Sequence, residues 1–150
     1  MNIPKHAFVL LSSLAAISVV PVAMAAMIPA LGPEAIVQAQ LEAYNARDIE
    51  AFVSTYAEDV QLFEHPTKLL AAGSAQLRAR YVERFKEPNL HAVITKRIIM
   101  GDIVIDHERV TRTFPEGPGT LEAIAIYEVR AGRIARAWLV MGPKTLDSGP

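Results

Sequence analysis

The chain has 150 residues, a formal net charge of −1, 21% charged residues and no cysteine. This length allows one ordinary domain with a single hydrophobic core, and the lack of cysteine excludes disulfide bonds, thiol chemistry and a lipid-modified cysteine. Acidic and basic residues are interspersed, so the sequence shows no basic patch suited to nucleic acid.

The first 25 residues have the order of regions found in secretory signal peptides. Lys5 precedes an apolar run at 7–20, and a small-residue cleavage site ends at Ala25. The alternative is an uncleaved anchor, but Pro21 and Pro29 interrupt the longer apolar run that a membrane span would need. We therefore expect cleavage after Ala25, a secreted or periplasmic protein, and no stable membrane insertion after the leader is removed.

The predicted mature domain, residues 26–150, begins with two helices. Pro33 suits the first turn of helix one, where its missing N–H is not needed. Asp48 can cap helix two, and both helices place apolar residues at helical spacing. The two apolar faces comprise Ile36, Val37, Leu41 and Tyr44 in helix one, and Ile49, Phe52, Val53 and Tyr56 in helix two.

A strand-like segment at 61–66 follows and carries Glu64 and His65 at its end. Ser74 then resembles the cap of a third helix. The buried stripe of this helix is predicted to be Leu77, Tyr81, Val82 and Phe85, with Arg78, Arg80, Glu83 and Arg84 solvated.

The second half of the chain has the composition of strands. Residues 90–100, 102–114, 120–130 and 133–141 are rich in Ile, Val and Thr, and turn-forming residues separate them at 101–102, 115–119 and 131–132. Helices followed by a meander of strands predict the α+β class.

The run Tyr44 to Phe52, followed by Tyr56 to Val60 and Gln61 to Pro66, resembles the SnoaL-like, steroid delta-isomerase-like branch of the nuclear transport factor 2 superfamily. The resemblance extends to Gly142. It implies a cone-shaped roll in which a curved antiparallel sheet wraps around three N-terminal helices. It also implies an exported small-molecule enzyme, similar to isomerases, lyases and polyketide cyclases that use general acid-base chemistry in an apolar pocket without a cofactor.

Turn positions predict which strand residues share a face. If Gly101-Asp102 is a two-residue hairpin loop, Arg97 pairs with Asp106 and Lys96 with His107. Successive strand residues alternate faces, so Asp106 and Glu108 point one way and His107 the other. These side chains therefore cannot converge on one ion, and we expect neither a metal nor a cofactor.

The last hairpin, with loop Ala131-Gly132, is predicted to pair Tyr127 with Arg136 and Ala125 with Trp138. By resemblance this is the pocket face. A five-residue loop at 115–119 would place His107 opposite Tyr127 on that face, as a second acid or as a core histidine bonded to Tyr127. The predicted ligand pocket comprises Phe63, Tyr81, Phe85, Ala125, Tyr127, Arg136 and Trp138, of which Tyr81, Phe85 and Trp138 could instead be core residues.

Glu64 and His65 occupy the place of the catalytic carboxylate in the family. Alternation allows only one of the two to face the pocket, and the predicted base is His65 or Glu64, with a strand-end histidine bonded to a loop carbonyl as the other interpretation of His65. In steroid isomerases a helix-one tyrosine and a protonated sheet aspartate hold the enolate oxygen. The matching positions here are Gln40 and Ala125, so that donor pair is missing, although Tyr44 could supply a hydroxyl one turn later.

Three function classes follow: an acid-base enzyme, a non-catalytic binding protein for a small apolar molecule, and a dimeric interaction module with a filled cavity. Ile124 and Ile126 are predicted on the outer face of the sheet, which favours a homodimer.

Export can be checked directly. Intact-mass measurement of the protein recovered from its native cell envelope is expected to show a chain that begins at Ala26, because the small-residue site ends at Ala25. A full-length mass in a membrane fraction would contradict cleavage and establish an anchor.

Overall fold

The computed structural model describes residues 32–147, so the predicted signal peptide lies outside the described residues. The described chain forms α1 (Pro33–Ala46), α2 (Ile49–Ser54), β1 (Tyr56–Glu64), β2 (Lys68–Ala72), α3 (Ser74–Arg84), β3 (His91–Met100), β4 (Ile103–Phe114), β5 (Gly117–Arg130) and β6 (Arg133–Leu146). No helix within 32–147 is both long and apolar enough to cross a membrane.

The six strands form one open sheet in the order β2-β1-β6-β5-β4-β3. Strands β1 and β6 run parallel and all other neighbours are antiparallel, which makes the sheet mixed. The helices cover its concave face: α1 contacts β3, β4 and β6, and α3 contacts β1 and β2. The predicted α+β class and the curved sheet wrapped around helices are confirmed.

The bend between α1 and α2 depends on two neighbouring residues. Arg47 adopts the left-handed conformation at φ 56°, which ends α1. Asp48 then caps α2 by accepting a hydrogen bond from the Ala51 N–H at 3.0 Å, as predicted.

Side chains at this bend also fasten the helices to the start of β3. Arg47 donates to three carbonyl oxygens, those of Glu87, Pro88 and Leu90. The Asn45 amide donates to the Ala92 carbonyl at 2.9 Å and accepts from the Ala92 N–H at 2.8 Å. The bend between α1 and α2 is therefore held to the start of β3 by hydrogen bonds between residues 40 or more positions apart.

Helix α3 begins differently from the prediction. Gly73, at φ 82°, is the residue before the helix, and Ser74 is the first helical residue without a side-chain cap. The positive φ reverses the chain after β2 while the Gly73 N–H donates to Val60 at 2.7 Å. Leu77 and Tyr81 are buried, but Val82 is 40% exposed.

The main core lies between the concave face and the three helices. Phe52 and Leu77 have no exposed surface, and the rings of Phe52 and Tyr81 lie 4.3 Å apart. Tyr44 packs edge-on against Phe85 at 5.7 Å. This aromatic group joins all three helices to the sheet.

Two of the predicted hairpins set the sheet register correctly at their loops. Met100 pairs with Ile103, and Arg97 with Asp106, as expected from a Gly101-Asp102 loop. The Ala131-Gly132 loop is also present, with positive φ at both residues. The predicted register further along the last hairpin is wrong, because Ala135 is an extra residue that bulges from β6. Tyr127 therefore pairs with Ala137.

The predicted five-residue loop at 115–119 is also wrong. Phe114 pairs with Gly117, so the loop is Pro115-Glu116, and β5 begins earlier than expected. His107 consequently pairs with Ile124 instead of Tyr127. This difference of three residues moves His107 to the convex face, because side chains alternate along a strand.

A buried ion pair lies on the concave face between β3 and β4. Asp106 is 1% exposed and accepts two hydrogen bonds from Arg97, at Nε and Nη2, each 2.7 Å long. Nη1 of Arg97 donates to Gln38 of α1 at 3.0 Å. The guanidinium thus joins two strands and a helix.

Replacing Asp106 by Ala is expected to lower the free energy of unfolding by about 3 kcal/mol, because the variant leaves the Arg97 charge buried without a partner. Urea denaturation followed by circular dichroism measures the change. Glu50→Ala is the matched control, since it breaks an equally bidentate pair with Arg78 whose carboxylate is exposed. A similar loss in both variants would contradict a special role for the buried pair.

Candidate active site

A cavity opens between α1, α3 and the concave face of β4, β5 and β6. The cavity has a volume of about 80 Å³. Its apolar wall consists of Leu41, Val110, Leu121, Ala123, Leu139 and Met141. The interior has room for several water molecules or for part of a small ligand.

Glu108 supplies the carboxyl group of the cavity wall. It lies between Ile94 of β3 and Ala123 of β5, on the same face as Asp106. The pKa of Glu108 is raised to about 7, chiefly by burial and also by the nearby Asp106 carboxylate, while the Arg97 guanidinium opposes both effects. Within residues 32–147 the Glu108 carboxyl makes no ion pair, so the group can give or accept a proton near neutral pH.

Three tyrosines, Tyr44, Tyr81 and Tyr127, share the wall with Glu108. Burial raises the pKa of Tyr81 to about 12, and burial also raises the pKa values of Tyr44 and Tyr127. The Glu108 carboxylate adds to the increase in all three cases. The phenols are therefore protonated at neutral pH and available as hydrogen-bond donors.

Gln40 also lines the cavity and is buried. Gln40 therefore contributes a side-chain amide to the wall.

Positive charge surrounds the mouth of the cavity. Arg80 and Arg84 reach it from consecutive turns of α3, and Arg112 reaches it from β4. Burial lowers the pKa of Arg112, and the neighbouring Arg84 guanidinium lowers it further. Of the residues described, no three His, Asp or Glu side chains come together as a metal site.

The prediction that either Glu64 or His65 faces the pocket is wrong, because neither side chain lines the cavity. Glu64 is the last residue of β1, and its carboxylate lies 3.4 Å from Lys68 Nζ. His65 is exposed, and its backbone N–H donates to Leu139 at 2.9 Å. The strand ends as the chain turns through Pro66, so both side chains stay at the rim of the sheet. Their catalytic role stays a prediction.

Four other predicted residues lie on the convex face. His107 lies there with Nε2 2.8 Å from Glu122, while Arg136 approaches Glu128 at 3.4 Å. Phe63 and Trp138 stack on each other with ring centres 5.8 Å apart. Their predicted pocket positions are wrong because of the short 115–116 loop for His107 and the Ala135 bulge for Arg136 and Trp138. Phe63 pairs with Trp138 and shares its face.

The remaining predicted residues face the concave side. Tyr44, Tyr81 and Tyr127 line the cavity. Ala125 and Phe85 are not part of the lining: Ala125 is fully buried in the core, and Phe85 supports Tyr44 from behind.

Sequence reasoning missed Glu108 and the arginines as site residues. A usable signal was present, because the pairing of Arg97 with Asp106 placed Asp106 and Glu108 on one face. A two-residue loop after Phe114 would have put that face opposite Ala123.

The raised pKa of Glu108 predicts how stability depends on pH. The carboxyl keeps its proton to higher pH in the folded protein than in the unfolded chain, so the contribution of Glu108 to stability is complete below pH 4.5 and is lost as pH rises through about 7. This loss reaches about 3 kcal/mol. Glu108→Gln is expected to abolish that part of the pH dependence, as measured by urea denaturation between about pH 4 and 8, which spans the two pKa values.

Glu64→Gln is the control for this measurement, since its partly exposed carboxylate lies at the rim. If the Glu108→Gln and wild-type stability curves stay parallel over the range, the carboxyl is not perturbed in the folded state.

A SnoaL-like domain model matches residues 37–137 of the chain. No curated protein matches the sequence significantly. Among solved structures, a putative polyketide cyclase from Sinorhizobium meliloti is similar at 25% identity and a TM-score of 0.60, over 70% of this chain and 93% of that one.

Two further structures share the fold. A cystatin-fold protein from Novosphingobium aromaticivorans is 22% identical with a TM-score of 0.67, over 73% of this chain and 97% of its own. A protein with a ketosteroid isomerase-like fold from Catenulispora acidiphila, in complex with trimethylamine, is 20% identical with a TM-score of 0.62, over 73% and 85%. The family model covers most of the described domain, and the chain therefore belongs to the SnoaL-like domain family.

Proposed function

We propose that this protein is a cofactor-independent enzyme that moves a proton on a small molecule held in the cavity, with Glu108 as the acid-base group. One observation carries the proposal: a largely buried carboxyl with a pKa of about 7 lies in the wall of a cavity that also presents tyrosine hydroxyls and apolar side chains. Such a pKa suits proton transfer at neutral pH. Fold alone would not support this function, since the same fold serves many.

The tyrosines give Glu108 a chemical partner. Glu108 as carboxylate takes a proton from a carbon next to a carbonyl group, and the Tyr44 hydroxyl donates a hydrogen bond to the carbonyl oxygen as negative charge develops there. Glu108 then returns the proton to another atom of the same intermediate. Isomerisation, elimination and ring closure all begin with this step. The apolar wall strengthens it by excluding water.

The relatives support the same class of chemistry. One similar structure is described as a putative polyketide cyclase, and another has a ketosteroid isomerase-like fold. In this chain the base that we propose lies on β4 instead of at the end of β1, and Tyr44 is the donor.

Catalysis can be tested by screening small carbonyl compounds for turnover. Glu108→Gln is expected to lower the rate by about 10²–10⁴-fold, because a positioned acid-base group contributes that much. The wild-type rate is expected to rise with pH through about 7 as Glu108 ionises.

Glu64→Gln and His65→Ala are the matched controls at the rim, and we expect both to keep the wild-type rate. If a rim variant loses activity while Glu108→Gln keeps full activity, the base lies at the end of β1 and not on β4. Binding without turnover of any compound would favour a non-catalytic binding protein.

We also propose that the mature domain works outside the cytoplasm, as a secreted or periplasmic protein. The leader composition supports this placement: a lysine precedes the apolar run, and a small-residue site follows it.

A homodimer through the convex face of the sheet is a further part of the proposal. Val93, Ile98, Met100 and Ile124 are 40–76% exposed, and by strand alternation all four belong to this face. Exposed apolar side chains on one face favour a contact between two copies.

Light scattering is expected to give twice the mass of one mature chain. Ile124→Lys should reduce the mass to one chain, because a charge would be buried in the contact. Val82→Lys is the control, since Val82 is equally exposed, at 40%, on α3 and away from the sheet. A single-chain mass for the wild type at micromolar concentration would contradict the dimer.

A further inference from the structure

We propose that the cavity binds a small organic acid whose carboxylate is held by Arg112 and Arg84, with its apolar body directed toward Glu108. The proposed function enters this inference at one point, where the bound acid is taken to be the substrate. The binding site itself depends on the arginines and on the shape of the wall.

The arginines of the described chain divide into two groups. Five form ion pairs with carboxylates, namely Arg78, Arg97, Arg109, Arg130 and Arg136. Two others, Arg47 and Arg133, donate to backbone carbonyls. The three that remain are Arg80, Arg84 and Arg112, and all three line the cavity. Within residues 32–147, the arginines without an anionic or carbonyl partner are those that face this one space.

Arg112 shows the clearest need for a ligand. Its Nε is buried and has no hydrogen-bond partner in the described chain. The guanidinium lies over the Phe114 ring at 4.7 Å, which limits its freedom to turn toward solvent. A buried donor without a partner destabilises the protein unless something bound in the cavity accepts its hydrogen bond.

Glu87, the acidic residue whose charge acts on Arg112, forms no ion pair with it. The Glu87 carboxylate accepts hydrogen bonds from the Asn89 N–H at 3.1 Å and from the Thr113 hydroxyl at 2.9 Å. Arg84 adds a second positive charge beside Arg112. Two guanidinium groups that repel each other are both stabilised by one anion between them.

The wall favours an organic carboxylate over inorganic phosphate. A guanidinium can pair bidentately with either anion, so the preference comes from the apolar part of the wall. Behind Arg112 the wall is apolar at Val110, Leu121 and Leu139, which suits a hydrocarbon body. Glu108 lies on the same strand face beyond Val110, so a ligand anchored at Arg112 extends toward the acid-base group.

Benzoate and benzamide are suitable probes because they have nearly the same shape and differ in charge. Isothermal titration of the purified protein is expected to show benzoate binding at least about 10-fold more tightly than benzamide, as charge-assisted hydrogen bonds require. Arg112→Gln should remove this preference. Arg109→Gln is the matched control, because it deletes the same charge from the same strand on the convex face, and it should keep the preference.

Equal affinity for the two probes, or an unchanged preference in Arg112→Gln, would overturn the proposal. If Arg112→Gln does not fold, Arg84→Gln decides: a reduced preference supports the site and a retained one refutes it. Inorganic phosphate at the same concentration should not displace benzoate, and displacement would refute selectivity for carboxylates.

The binding and catalytic proposals can fail separately. Glu108→Gln should still prefer benzoate, because the arginines remain, although its turnover is lost. If the protein prefers benzoate but Glu108→Gln keeps the wild-type turnover, only the acid-base role is refuted. Turnover that depends on Glu108 without benzoate selectivity would refute only the carboxylate site.

Discussion

The register of β4 against β5 decides which chemistry this fold can hold. Side chains alternate along a strand. A slip of β4 by one residue would therefore turn Glu108 and Arg112 away from the concave face and bring His107 and Arg109 onto it. The two-residue loop at Pro115-Glu116 fixes that register, and Gly101-Asp102 fixes the register of β3 against β4. The face on which the proposed acid-base group lies therefore depends on the length of a short turn outside the cavity wall.

Strand β4 carries two carboxyl groups on its concave face, one with an ionic partner and one without. Asp106 is fully satisfied by Arg97, whereas Glu108, two residues later, has no ionic partner within the described chain. The Arg97–Asp106 pair stabilises the sheet, and its two charges act on Glu108 in opposite directions: the Asp106 carboxylate raises the pKa of Glu108 and the Arg97 guanidinium lowers it. Burial is the larger cause of the raised pKa.

The fold was predictable from sequence because it follows from local signals. Asp48 as a helix cap and the Gly101-Asp102 and Ala131-Gly132 turns are each determined by a few neighbouring residues. The site was less predictable, because it needs exact register over whole strands. The bulge at Ala135 places Arg136 and Trp138 on the convex face instead of the predicted concave face. The short loop at 115–116 has the same effect on His107. The burial of Glu108 depends on helices that are distant in sequence. The pattern of apolar residues along β4 therefore does not reveal it.

Within residues 32–147, strand β3 has a neighbouring strand on one side only, and of its outer backbone groups those of Ala92 are bonded by the Asn45 side chain. Such an edge invites strands of other molecules to add to the sheet. Here Thr95 bulges out of the ladder between Ile94 and Lys96, and its hydroxyl donates to the His107 carbonyl at 2.9 Å. The bulge divides the edge into two short segments, and Lys96 places a charge at the break. An incoming strand would find no long regular template, which protects an apolar, strand-rich chain from aggregation.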